Sequence, residues 1–202
     1  MSGNGQPGHR QPGQQPGHQQ PGQEGPAAIL IGPPGAGKST VGALLAGLLD
    51  LPYLDTDTVV EEEAGKPVSD IFITDGEASF RAMESAAVAR SVASHRGILG
   101  LGGGAVLDPG TRRQLAGQRV VYLQTGFAAA AHRCGLDVPR PLLGLNPRAR
   151  MKELLEQRLP VYEALAWLTV VTDDREPRDI AAEIAATPAI RAAAAGNGRP
   201  VP

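Results

Sequence analysis

The 202-residue chain has a single cysteine, Cys134, so no disulfide can form within it. A reducing cytosol is the simplest compartment for such a sequence. No apolar run approaches the roughly 18 residues that a membrane span needs, and the amino-terminal stretch is polar, without a secretory apolar segment. There is no basic excess either. The formal net charge is -2, which argues against a nucleic-acid footprint. Lysine is scarce and arginine plentiful. What remains is a chain with 42% hydrophobic residues, enough for the core of one α/β domain and too short for two.

Both ends are expected to stay outside that core. Residues 1–26 repeat a QPG unit with nothing apolar to bury, and they read as a disordered tail. Residues 188–202, ending "AAAAGNGRPVP", read as a second frayed tail. Between them, over 27–187, short apolar runs alternate with helical patterns. Strands are expected at 27–31, 52–55, 97–101, 119–123 and 167–171. Helices are expected at 38–49, 57–64, 68–74, 76–95, 126–134, 147–158 and 177–186. Strands separated by helices imply a parallel sheet covered on both faces, with ligands at the carboxyl ends of its strands.

The run "GPPGAGKST" joins the first strand to the first helix and fits the G-x-x-x-x-G-K-[ST] pattern. Glycines there turn tightly and leave N–H groups free for an anion, and the helix adds the positive end of its dipole. Gly35, Ala36, Gly37, Lys38, Ser39 and Thr40 are the nucleotide-binding run. Lys38 is placed to reach the β- and γ-phosphates, and Ser39 offers a hydroxyl to Mg²⁺. Two carboxylates, Asp55 and Asp57, follow the second strand. One could hold a Mg²⁺-bound water and the other could take a proton from an attacking hydroxyl; equally, Asp57 could simply cap a helix. Arg81 and Glu84 stand three residues apart on one helix, as a pair in which Glu84 aims the guanidinium or as a surface ion pair. Gly102, Gly103 and Gly104 end the third strand and leave a bare ledge of backbone. Arg133, Arg140 and Arg158 lie further on, the first two in or beside a Pro- and Gly-rich stretch. Together these groups describe an acidic small substrate held beside ATP.

Six motifs in order, "GPPGAGKST", "LDTD", "DIFITDGEASFRAMES", "LGGGAV", "RPLL" and "RLPVYE", resemble the shikimate kinase family over about residues 27–186. The first is shared with many families; the succession of the others is much more specific. The resemblance implies a three-layer α/β/α fold of the P-loop, nucleoside-monophosphate-kinase-like kind. It carries a five-stranded parallel sheet, a substrate-binding helical region at 56–84 and a lid at 134–147. It implies ATP as co-substrate with one Mg²⁺ per subunit, and phosphorylation of the 3-hydroxyl of shikimate, a step toward chorismate and the aromatic amino acids. By position, Asp57 meets the substrate hydroxyls, Arg81 and Arg158 bind its carboxylate, and Gly103 and Gly104 line its site. Arg140, with Lys38, reaches the transferring phosphate. Arg133 packs on adenine near Pro177, and Asp55 is linked to Mg²⁺ through water. A cytoplasmic monomer with small-molecule partners, no nucleic acid and no membrane completes the expectation. A kinase for another small acid such as gluconate would not need both Arg81 and Arg158.

Overall fold

The structure, a computed structural model, describes residues 25–136 and 147–197. Its five strands are β1 (Ala28–Ile31), β2 (Tyr53–Asp55), β3 (Ile98–Gly100), β4 (Val120–Gln124) and β5 (Leu168–Val171). They form one parallel sheet in the order β2-β3-β1-β4-β5. The helices among the described residues are α1 (Lys38–Leu49), α2 (Thr56–Ala64), α3 (Val68–Thr74), α4 (Gly76–Ser94), α5 (Pro109–Leu115), α6 (Phe127–Arg133), α7 (Pro147–Leu165), α8 (Pro177–Ala186) and α9 (Pro188–Asn197).

The central strand shows why its sequence is apolar throughout. Ala28 and Leu30 pack with Val41 and Leu45 of α1, Ile180 and Ile184 of α8, and Ile190 of α9. Ile29 and Ile31, pointing the other way, pack with Val88 and Val92 of α4, Leu115 of α5 and Tyr162 of α7. A strand buried on both faces cannot alternate apolar with polar. The result is the three-layer arrangement expected from the sequence. A smaller core of Val60, Ile71, Phe80 and Ala87 holds α2, α3 and α4 together over the 56–84 region. Register brings Asp55 level with Gly100, and Gly100 level with Leu30, so the loops after β2, β3 and β1 leave from one edge.

Three elements differ from the sequence expectation. The segment after residue 187 is helix α9, with Ile190 fully buried against the core, in place of a frayed tail. The apolar side of α9 is only Ile190, Ala193 and Ala194, too small to stand out in an alanine-rich run. Helix α7 continues through Pro160 to Leu165 where a stop at 158 was expected. Leu159, Tyr162 and Leu165 join the second core, and that burial outweighs the hydrogen bond that proline removes. Helix α5 was missed, although Asp108 caps it by accepting from Thr111 N at 2.6 Å and Pro109 opens it. At the amino edge, Gly25 and Pro26 are buried rather than part of the tail. The buried Arg119 donates to the carbonyls of Pro26 and Ala27, each at 2.9 Å, and Asn197 Nδ2 donates to that of Gly25 at 3.1 Å.

Ile190→Ala should therefore destabilise the fold by about 2–4 kcal/mol in urea unfolding. A loss below about 0.5 kcal/mol, the range of neutral surface changes, would mean that α9 contributes no packing.

Candidate active site

The loop between β1 and α1 wraps a space for an anion. Gly35 and Gly37 take φ of 78° and 91°, which side chains rarely adopt. A Cβ on Gly35 would lie 2.6 Å from the Ala130 carbonyl oxygen, so the loop also needs glycine to seat against α6. Helix α1 begins with no acidic residue in its first turn and no side-chain cap, which leaves its first N–H groups to an incoming anion. Lys38 Nζ folds over the loop and donates to the carbonyls of Gly32 at 2.8 Å and Pro33 at 3.1 Å. Burial pulls its pKa down to about 8, against the pull of Asp55 and Asp57. An ammonium in this state gains from a bound phosphate.

Beside it stands the carboxylate pair. Asp55, not Asp57, caps α2: its Oδ1 accepts from Asp57 N at 3.1 Å. Its Oδ2 accepts from Ser39 Oγ at 3.2 Å and from the Tyr53 hydroxyl at 3.0 Å. Asp57 is thereby free of a capping duty. Its Oδ1 is buried and has no hydrogen-bond partner among the described residues. Burial, with Asp55 and Glu84 nearby, pushes its pKa from the usual 3.8 up to about 6.

The glycine ledge joins the two halves. Gly102 is pinned by its N–H, which donates to the buried Thr56 Oγ1 at 3.1 Å. A Cβ there would lie 2.5 Å from Oδ1 of Asp57 and 2.6 Å from Oε1 of Glu84. On Gly103 it would lie 3.2 Å from Pro34 Cδ and 3.5 Å from the Gly32 carbonyl oxygen, against the phosphate loop. On Gly104 it would clash with the Arg81 guanidinium at Nη1. Arg158 Nη1 and the Tyr162 hydroxyl both donate to the Gly103 carbonyl, at 3.2 Å and 2.6 Å. The Nε of Arg158 is buried without a partner among the described residues. Arg81 is held by Glu84 at 2.6 Å and lies 5.2 Å from the Phe80 ring centre. Glu84 is only 3% exposed. Burial drives its pKa upward, and Arg81 opposes the rise. With Glu84 buried, this is not a surface ion pair.

On the far side of the loop, Arg133 donates to the Gly35 carbonyl at 3.2 Å and to the Thr172 carbonyl at 2.7 Å. It borders a cleft of about 710 Å³, walled on one side by Ala129 and His132 and on the other by Asp173 and Glu176. Pro177, the first residue of α8, follows directly. Asp173 closes the base by accepting from Thr125 Oγ1 at 2.7 Å and Gly126 N at 2.8 Å. Arg140 and most of 134–147 lie outside the described residues. Thr56, Tyr53, Tyr162 and Asp173 were not picked out from the sequence. "RLPVYE" contains Tyr162, but nothing local shows that its hydroxyl lands on Gly103.

The family model for shikimate kinase matches residues 34–188. The shikimate kinase of Thermobifida fusca is 58% identical over 160 residues, covering 79% of this chain and 93% of its own. That of Salinispora arenicola is 55% identical over 161 residues, 80% of this chain and 96% of its own. Among solved structures, the shikimate kinase of Acinetobacter baumannii in complex with shikimate is 36% identical with a TM-score of 0.72, covering 79% of this chain and 90% of that one.

The raised pKa of Asp57 makes its ionisation a burden on the fold. The folded chain holds this proton more tightly than the unfolded chain, so the penalty is full above pH 6 and fades as pH falls toward 4. Asp57→Asn should accordingly raise stability at pH 7.5 by ~1–2 kcal/mol, with a gain that shrinks at pH 5. Urea titrations at the two pH values read this directly; an equal or larger gain at pH 5 contradicts the burial of the charge.

Proposed function

This chain belongs to the shikimate kinase family, and from that premise we propose how its own residues divide the work. The reaction is the ATP-dependent phosphorylation of shikimate at its 3-hydroxyl, giving shikimate 3-phosphate and ADP. One observation carries the assignment of residues: three successive glycines are each approached by a different charged group, and the middle one also lies against the phosphate loop. Donor and acceptor substrates can therefore meet across one stretch of bare backbone.

In this reading Gly35 to Thr40 hold the nucleotide phosphates, and Lys38 turns from the loop carbonyls to the phosphoryl group in transfer. Arg133 lies along adenine in the cleft that ends at Pro177. Arg81 and Arg158 take the substrate carboxylate. Guanidinium pairs of this kind fix orientation as well as adding energy. Gly103 and Gly104 leave room for the ring. Asp57 accepts the hydrogen of the attacking hydroxyl through its unpartnered Oδ1. With a pKa near 6 it is ionised at pH 7.5 and yet basic enough to draw on that proton. Arg140, placed by "RPLL", meets the charge of the transferring group when the lid closes, and closure keeps water from ATP.

The donor set suits Mg²⁺. No cluster of three or more His, Cys, Asp or Glu able to hold a metal occurs among the described residues. Two hard oxygens, from Ser39 and Asp55, do stand together at the phosphate loop, and Mg²⁺ is commonly held by one or two protein oxygens with phosphate and water completing its shell. When bound, the ion neutralises charge on the β- and γ-phosphates. We further propose a cytoplasmic monomer. No helix among the described residues is long and apolar enough to cross a membrane.

ADP release that depends on shikimate is the direct test, and its absence with the purified chain would overturn the reaction. Arg81→Ala and Arg158→Ala should each raise the shikimate KM by roughly 30-fold or more while the ATP KM stays within a few-fold. An unchanged shikimate KM removes the carboxylate assignment. Asp57→Asn should lower kcat by about 10²-fold or more with nucleotide binding retained. Arg140→Ala should reduce kcat more than ATP affinity, and the opposite pattern would make it a binding residue only.

A further inference from the structure

Tyr53 opens β2, and its ring occupies space that two glycines leave empty. A Cβ on Gly42, in the middle of α1, would clash with that ring at its Cε2. One on Gly100, at the end of β3, would clash with its hydroxyl oxygen. Glycine within a helix is destabilising by roughly 0.5–1 kcal/mol relative to alanine, and glycine within a strand marks a close approach. The chain thus gives up packing in two elements to seat one phenol.

What the phenol reaches is Asp55. Its hydroxyl donates to Oδ2 at 3.0 Å, the oxygen that also accepts from Ser39 Oγ at 3.2 Å. The other oxygen is engaged by the Asp57 N–H at 3.1 Å. Ser39 sits exposed at the start of α1, and its hydroxyl has a second task in taking a cation. The capping bond alone leaves the Asp55 carboxylate free to twist about that contact. The tyrosine bond removes the twist from the opposite side.

We propose that Tyr53 is a positioning residue for the cation site: its hydroxyl fixes the plane of the Asp55 carboxylate so that this group and Ser39 present their oxygens to one Mg²⁺ and its water. The inference rests on the reading of Asp55 as the metal-linked carboxylate, and the variants are chosen to separate the two.

Tyr53→Phe keeps the ring in its glycine-lined seat and deletes only the hydroxyl. The full chain is titrated with Mn²⁺ in the presence of ADP, and free Mn²⁺ is read by electron paramagnetic resonance, alongside steady-state kinetics and thermal unfolding. Loss of one hydrogen bond to the carboxylate corresponds to an affinity change of about fivefold or more. Mn²⁺ binding should weaken by that factor in Tyr53→Phe and by at least as much in Asp55→Asn, with the shikimate KM of Tyr53→Phe within twofold of the parent. If Asp55→Asn weakens Mn²⁺ binding and Tyr53→Phe does not, the role of Tyr53 is overturned and the metal site stands. If neither does, the metal-site reading fails as well. A lower melting temperature in Tyr53→Phe with unchanged Mn²⁺ affinity makes the residue a packing element only and equally overturns the proposal.

Discussion

Three charged groups converging on a strip of backbone without side chains is the constraint from which the rest follows. Asp57, Glu84 and Arg81 approach Gly102 and Gly104 so closely that a single methyl group on either would collide with them. Charges brought this close, and partly out of water, interact strongly and are costly when unpaired. The fold meets only part of that cost. Glu84 and Arg81 neutralise each other at 2.6 Å, while Asp57 Oδ1 and Arg158 Nε are buried with no hydrogen-bond partner among the described residues.

How much of this was legible in the sequence depended on how local the physics is. The phosphate loop and α1 were readable to the residue, because tight turns and a helix start are fixed by the glycines and by Lys38 themselves. The sheet was readable because a strand buried on two faces must be apolar. Asp55 and Asp57 were recognised as a pair, yet which one caps α2 depends on backbone geometry at the end of β2, and the structure gives that duty to Asp55. Gly102, Gly103 and Gly104 announced a ledge, but the partner of each is set by helices far from it in the chain, α2 and α4 before it and α7 after it. The end of α7 and the existence of α9 were misjudged for one reason. Both are decided by burial of a few apolar residues against a core that no local pattern reveals.

The two edges of the sheet have separate tasks. At the amino edge, Arg119 and Asn197 tie the segment before β1 to β4 and to the end of α9. The acceptors are backbone carbonyls, bound by one cation and one amide. At the carboxyl edge the charges are left short of partners. The loops of the site spring from strands whose registers are already fixed.

Lys38 and Asp57 are subject to the same burial from opposite sides of neutrality. Burial disfavours the charged form of each, lowering the one pKa to about 8 and raising the other to about 6. Their mutual attraction offsets only part of the burial. On the roles proposed above, a phosphate beside Lys38 would favour its charged form, and a hydroxyl donating to Asp57 would do the same there. Each ligand would then stabilise the fold in proportion to how strongly it prefers the folded form. Burial that disfavours an isolated ammonium and an isolated carboxylate would, on that reading, favour two substrates of opposite task, one bringing negative charge and the other a proton.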